Sequence, residues 1–368
     1  MTETVARQAV RCWTGLMLNT YVDNGVVPGL ISLVSRGDET HLQVHGRTAY
    51  DGPDLERDSL FRVSSFTKPI TAAATMLLVD DLQLSLDAPA ADVLPELANP
   101  VVLREPDGPV DDTVPAERAI TVRDLLTFRL GLGESGNPGL RQAEEELGVR
   151  TFGPPIPRTD LEPDEWMRRL GTLPLQYQPG EHWLYATGSH LLGVLISRVS
   201  GQPLEEFLRE RLFEPLGMRD TGFTAADPAR LTTAYVGDDV LDTAAESQWL
   251  TPPSFPDAAG GLISTVDDFH AFTRMLESGD LLSREAVAEM TTDQLTPVQR
   301  AGSLDFLGPD TGWGYGVSVG DDGRYGWAGG LGTLWSTTAD GTISILLTQR
   351  ALWTWPEELF AEASAPAW

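Results

Sequence analysis

Stretches of helical and of alternating apolar period follow one another along this chain, and they predict its elements. Residues 3–24 place Val5, Ala9, Cys12, Trp13, Leu16 and Met17 at helical spacing, ahead of a Gly and Pro turn at Gly25 to Gly29. LISLVSRGDETHLQVHGRTA then gives two short apolar runs around Arg36 to Glu39, the signal of a hairpin. The alanine-rich run Thr71 to Leu78 carries a buried helix, and LQLSLDAPAADVLPEL reads as short turns. Residues 104–118 lack apolar periodicity and predict a polar surface excursion. ITVRDLLTFRLGL predicts a helix capped by Thr121 and stopped at Gly131. Residues 133–163, rich in Gly, Pro and acid, read as a mobile loop or lid.

Helical spacing returns at Asp164 to Leu170, Ser189 to Val199 and Pro203 to Leu212. After residue 255 the pattern changes again. DAAGGLISTVDDF gives a turn, a short extended piece and a helix through Asp267 to Leu276, and another helix lies near Arg284 to Met290. The runs GWGYGVSVG, RYGWAGG, LGTLWSTTA and GTISILLTQR predict three or four antiparallel strands, and Glu357 to Ala363 a closing helix. Strands near both ends with helices between them predict an α/β (α+β) fold. Residues 1–60 and 255–368 would form one discontinuous sheet domain and residues 61–254 a mostly helical one, with an active site at their interface.

A length of 368 residues suits about two domains and a cleft between them. The formal net charge of -28 repels phosphate backbones and anionic lipid, which argues against nucleic-acid and membrane-surface partners. A single cysteine, Cys12, excludes an intrachain disulfide, and the scattered histidines, His41, His45, His182, His190 and His270, show no metal-ligand spacing. Neither a metal nor an organic cofactor is expected. No stretch has the length of a membrane span, and the first residues lack the pattern of an export signal, so the cytoplasm is the expected location.

The candidate chemistry lies in FRVSSFTKPITAAATMLL. Ser65 and Lys68 are three residues apart, so in a helix hydroxyl and amine share one face. SxxK alone is a common pattern. Composition sharpens it, because Lys68 is the only lysine and every other residue counted with it is arginine. A guanidinium cannot lose its proton, whereas a buried amine can serve as base for a neighbouring hydroxyl.

Further motifs follow in order: LSLDAPAADVLPEL, QPGEHWLYATGSHLLGVLISRVSG, EPLGMRDTGF, AGGLISTVDDF and YGWAGGLGT. With the serine segment they resemble, from about residue 20 to 350, the serine β-lactamase and penicillin-binding-protein superfamily. Within it the resemblance is strongest to the class C β-lactamases and, most of all, the family VIII carboxylesterases.

The resemblance implies the β-lactamase/transpeptidase-like fold, an antiparallel sheet flanked by helices with an inserted helical domain. It casts Ser65 as nucleophile, Lys68 and Tyr185 as the proton-transfer pair, and the N–H groups of Ser65 and Gly330 as the oxyanion hole. Substrate contacts fall to Trp327, Gly329, Thr187 and Trp183. Two positions depart from the pattern. Thr187 stands where the family has asparagine, and Trp327, Ala328 and Gly329 replace a basic KTG motif. Both departures favour a neutral small-molecule ester or amide over a carboxylated β-lactam. The expected activity is serine hydrolysis through an acyl-enzyme, a carboxylesterase on small acyl esters. The same intermediate also allows a D-amino-acid peptidase or amidase, a weak β-lactamase or an acyltransferase, and a non-catalytic binding module on the same fold is the other alternative. The oligomeric state has no signature in the sequence.

Overall fold

A computed structural model describes residues 18–364 of the chain. The helix expected over residues 3–24 falls largely outside that range, and its described part is Asn19–Asp23. Seven strands form one antiparallel sheet: β1 (Gly29–Arg36), β2 (Glu39–Gly46), β3 (Thr311–Trp313), β4 (Ser318–Gly320), β5 (Tyr325–Gly329), β6 (Thr333–Thr337) and β7 (Ile343–Thr348). Their spatial order is β2-β1-β7-β6-β5-β4-β3. The chain thus closes its sheet by laying β7 against β1, with Leu33 opposite Ile345. The last third of the chain supplies five strands where three or four were expected, because GWGYGVSVG folds into two short strands around a turn with Gly316 at φ 74°.

β1 and β7 are buried along almost their whole length, so their apolar residues run continuously instead of alternating. Ile31, Leu33, Ile345 and Leu347 face the main core, while Leu30 and Leu346 face a second cluster with Leu18, Trp355 and Leu359. The period of two has therefore been used on both sides of the sheet.

On the main-core side lies α1 (Thr67–Asp80), in which every residue from Thr67 to Leu78 is buried. Its small residues let neighbours approach on all sides, as expected of a helix with no solvent face. α2 (Val122–Leu126) is capped by Thr121, whose side chain and that of Asp124 exchange bonds with the backbone. It ends five residues before Gly131. α3 (Pro138–Leu147), α4 (Pro163–Leu170) and α5 (Thr187–Ser200) follow, then α6 (Val266–Ser278) against the sheet and α7 (Glu357–Ser364) at the end.

Two sequence expectations need correction. The excursion 104–118 contains Thr113–Pro115, which pairs with Val101–Leu103 as a small hairpin. The stretch 133–163 is not loop throughout. Asn137 accepts from the N–H groups of Gly139 and Leu140, Pro138 starts α3, and Gly148 at φ 67° ends it. Polar composition hid those three punctuation marks. The short helices Pro297–Gly302 and Leu304–Leu307 were not foreseen either. Among the described residues no helix is long and apolar enough to cross a membrane.

The strand Phe61–Arg62 leads into the serine turn and is fixed from below. Arg62, buried, ion-pairs with Asp242 and donates to Ser247 Oγ at 3.1 Å, with its guanidinium 5.0 Å from the Trp249 ring centroid. Asp242→Asn would leave a buried guanidinium without its counter-charge and should cost about 3–5 kcal/mol. Urea unfolding should show the midpoint falling with its slope unchanged. A midpoint equal to wild type would mean that water reaches the pair.

Candidate active site

The chain enters α1 through a single tight turn, Ser64–Phe66, with Ser64 in the left-handed region at φ 48°. That turn presents Ser65, and one helical turn later Lys68 points back at it. Lys68 Nζ donates to Ser65 Oγ at 3.0 Å and to the Ala259 carbonyl at 2.8 Å. Its third direction is filled by the Tyr185 ring, whose centroid lies 4.4 Å from Nζ. Only 3% of Lys68 is exposed, so all three directions of a buried ammonium are occupied. A neutral amine fits the same place, with its lone pair facing the Ser65 hydroxyl.

Tyr185 completes the group. Its hydroxyl donates to Ser65 Oγ at 2.9 Å and accepts from Trp327 Nε1 at 2.8 Å. Ala186 is held at φ 80°, ψ −53°, and the Thr187 N–H bonds the Tyr185 carbonyl at 3.3 Å. This is a γ-turn of the strained, positive-φ kind, and it turns the chain into α5 immediately after the phenol.

The Ala259 carbonyl belongs to a turn fixed by Asp257, whose Oδ1 accepts from the N–H groups of Ala259 at 2.8 Å and Gly260 at 3.0 Å. Burial pushes the Asp257 carboxyl up. His190 beside it, those N–H groups and Lys68 more than offset this and hold it at about 2.

Across the serine turn runs the end of β5. Gly329 has no room for a side chain there, since a Cβ would collide with the Val63 carbonyl oxygen and with Thr333 Oγ1. The close approach brings the following residue, Gly330, beside the turn, where its built Cβ would be 3.9 Å from Ser64 Oγ. Neither the Ser65 nor the Gly330 N–H has a hydrogen-bond acceptor among the described residues. An open cleft lies over them, lined by Ser65, Lys68, Tyr185, Trp327, Ala328 and Gly330.

Two residues expected to contact substrate are elsewhere. Thr187 is fully buried, and its hydroxyl pairs with Thr151 Oγ1 at 2.6 Å. Trp183 lies behind Tyr185 with 5.8 Å between ring centroids, packed with Phe128 and Trp313 and away from the cleft wall. A tryptophan next to a catalytic motif reads alike as wall or core, and here it is core. Gly329 shapes the strand without itself lining the cleft.

Sequence reading missed Phe152 and Phe306, which flank the Tyr185 ring at 6.2 and 4.6 Å and are 39% and 42% exposed. Phe152 comes from an irregular segment and Phe306 from the short helix Leu304–Leu307, and neither is long or regular enough for periodicity to give a signal. It also passed over His190 and Asp257, which pair at 3.1 Å. The Asp-x-x-Gly-Gly turn signature was the one cue to the second. Among the described residues no cluster of side chains could hold a metal ion.

The sequence matches the profile of the Beta-lactamase family over residues 17–365. Protein Rv1367c of Mycobacterium tuberculosis (strain ATCC 25618 / H37Rv) is 37% identical over 359 residues, spanning 88% of this chain and 86% of the relative. Esterase EstB of Burkholderia gladioli is 29% identical over 350 residues, spanning 87% and 85%. The solved structure of EstCE1, described as a hydrolase with promiscuous acyltransferase activity, aligns at a TM-score of 0.82 and 22% identity over 98% of each chain. That likeness shows the β-lactamase/transpeptidase-like fold.

Gly329→Ala tests how the strand end serves the serine. The added methyl must push β5 from Val63, which should cost about 1–3 kcal/mol. Labelling of Ser65 by a fluorophosphonate should slow about 100-fold, since an ångström of misplacement suffices. Labelling at the wild-type rate would show that the distance from β5 to the turn is immaterial.

Proposed function

The chain belongs to the β-lactamase family, and we propose that it is a serine carboxylesterase working through an acyl-enzyme. One observation carries the reading: the Ser65 hydroxyl is held between the Lys68 amine at 3.0 Å and the Tyr185 phenol at 2.9 Å, on the wall of an open cleft. In this reading the Ser65 proton passes to the Lys68–Tyr185 pair as Oγ attacks the ester carbonyl. The N–H groups of Ser65 and Gly330 stabilise the oxyanion, and Tyr185 returns the proton to the departing alkoxide. Water then adds to the acyl-enzyme, giving its proton to the same pair, and the acid leaves as Ser65 is restored.

The walls support a neutral, apolar ester. Trp327 occupies the position where a basic residue would meet a β-lactam carboxylate, and it spends its N–H on Tyr185. Thr187 offers no amide and is buried, so it replaces none of the family asparagine's contacts. Phe152 and Phe306 present exposed rings on either side of Tyr185. An alcohol that reaches the acyl-enzyme ahead of water would accept the acyl group instead, and EstCE1 is described as having promiscuous acyltransferase activity. A pure binding role gains no support from a serine, lysine and tyrosine brought within hydrogen-bond reach.

Ser65→Ala should abolish both the covalent fluorophosphonate adduct and turnover of p-nitrophenyl butyrate. Lys68→Arg should fold and lose about 10²–10⁴-fold in kcat, the range for a lost general base. Nitrocefin should turn over far more slowly than the ester. Full activity in Lys68→Arg would sink the amine as base, and nitrocefin turnover matching the ester would make the chain a β-lactamase.

A further inference from the structure

His190 has both ring nitrogens engaged. Nε2 lies 3.1 Å from Asp257 Oδ1, and Nδ1 lies 3.4 Å from the Ala186 carbonyl. Both partners are acceptors, so a ring with an N–H on each nitrogen would satisfy the two together. The ring is buried between Trp166 of α4, at 5.9 Å and 21°, and Phe255, at 6.3 Å and 1°.

Each acceptor leads to one member of the proton-transfer pair. Ala186 is the strained residue directly after Tyr185. Asp257 clamps the Ala259 and Gly260 N–H groups, and the Ala259 carbonyl receives the Lys68 N–H at 2.8 Å. The same turn takes a bond from Thr71 on α1 to the Ala258 carbonyl at 2.7 Å. One imidazole therefore bridges the backbone that carries the phenol and the turn that seats the amine.

We propose that His190 and Asp257 are positioning residues of the acyl-transfer site, setting Lys68 and Tyr185 in register around Ser65 and presenting Lys68 with a neutralised ion pair. The proposal rests on the acyl-enzyme reading above. Neutralisation matters because a lone carboxylate beside Lys68 favours its ammonium form, which cannot take the serine proton. The charged groups around the imidazole are Asp257 and, across it, Lys68 of α1, while the rings of Trp166 and Phe255 cover its faces.

The test uses the whole chain with p-nitrophenyl butyrate and a fluorophosphonate. Asp257→Ala removes both charge and acceptor and should lower kcat about 100-fold while KM stays within about twofold. Asp257→Asn keeps an oxygen for the two N–H groups and should recover most of that loss. His190→Gln leaves the carboxylate uncompensated, so the acid limb of its kcat/KM profile should move to higher pH by on the order of one unit. In Asp257→Asn the limb should stay or move the other way.

A folded Asp257→Ala that labels and turns over like wild type overturns the proposal. Equal losses in Asp257→Ala and Asp257→Asn with unmoved limbs overturn it too, since packing alone would then account for the pair. Should Asp257→Ala fail to fold, the Asn and Gln variants decide through their limbs. Wild-type protein that takes no fluorophosphonate label brings down the acyl-enzyme reading and this role together, whereas a wild type that labels confines any failure to the pair.

Discussion

The structure is arranged around one buried amine. A lysine removed from water must find a partner in every direction its nitrogen faces, or the cost of desolvation unfolds the site. Lys68 finds three, a hydroxyl, a carbonyl and an aromatic face, and each comes from a different part of the chain. Satisfying it therefore ties together the start of α1, the turn at 257–261 and the segment before α5. The serine turn, the phenol and the strand end are held as a consequence. None of these segments has a reason of its own to adopt a left-handed residue, a γ-turn or a strand pressed against a carbonyl. The positive φ of Ser64 and of Ala186 records strain that surrounding contacts must maintain.

That arrangement explains why so much of α1 is alanine and threonine. A helix buried on every side must let its neighbours come close, and Ala72, Ala73 and Ala74 do so. Thr67, Thr71 and Thr75 send their hydroxyls to carbonyls within reach and leave no polar atom stranded. Phe66 meanwhile stacks on Phe269 at 4.1 Å and meets Trp335 edge-on at 6.5 Å, which joins the serine turn to α6 and to β6. Ser65 thus rests on a packed core on one side and faces an aromatic cleft on the other.

What the sequence disclosed follows from which signals are local. The hairpin around Arg36 to Glu39, the buried run Thr71 to Leu78 and the Thr121 cap are written in neighbouring residues, and they were legible. The serine and lysine were legible because three residues in a helix fix a geometry, and because a chain of arginines had kept one lysine. α3 was not, since a polar, acidic helix resembles a loop until its Asn137, Pro138 and Gly148 are read as cap, start and stop. Trp183 and Thr187 were misplaced for a different reason. A motif gives the neighbourhood of a side chain and not its direction, and the γ-turn at Ala186 sends Thr187 into α5 and away from the cleft. Contacts made across more than fifty residues, such as Phe306 on Tyr185 or His190 on Asp257, have no local trace at all.

The charge of the chain and the chemistry of its site are separate matters. A net charge of -28 is carried by an exterior where most ion pairs are exposed and screened, and such pairs contribute little to stability. The site instead sets Asp257 beside His190, and Lys68 against polar oxygens and a ring. Its walls are aromatic, so an incoming group gains by leaving water without needing a charge of its own. The acidic exterior disfavours anions approaching the cleft, and Trp327 brings no charge to the motif position where the family has a basic residue. Both effects act in one direction, and neither opposes the neutral acyl ester proposed above.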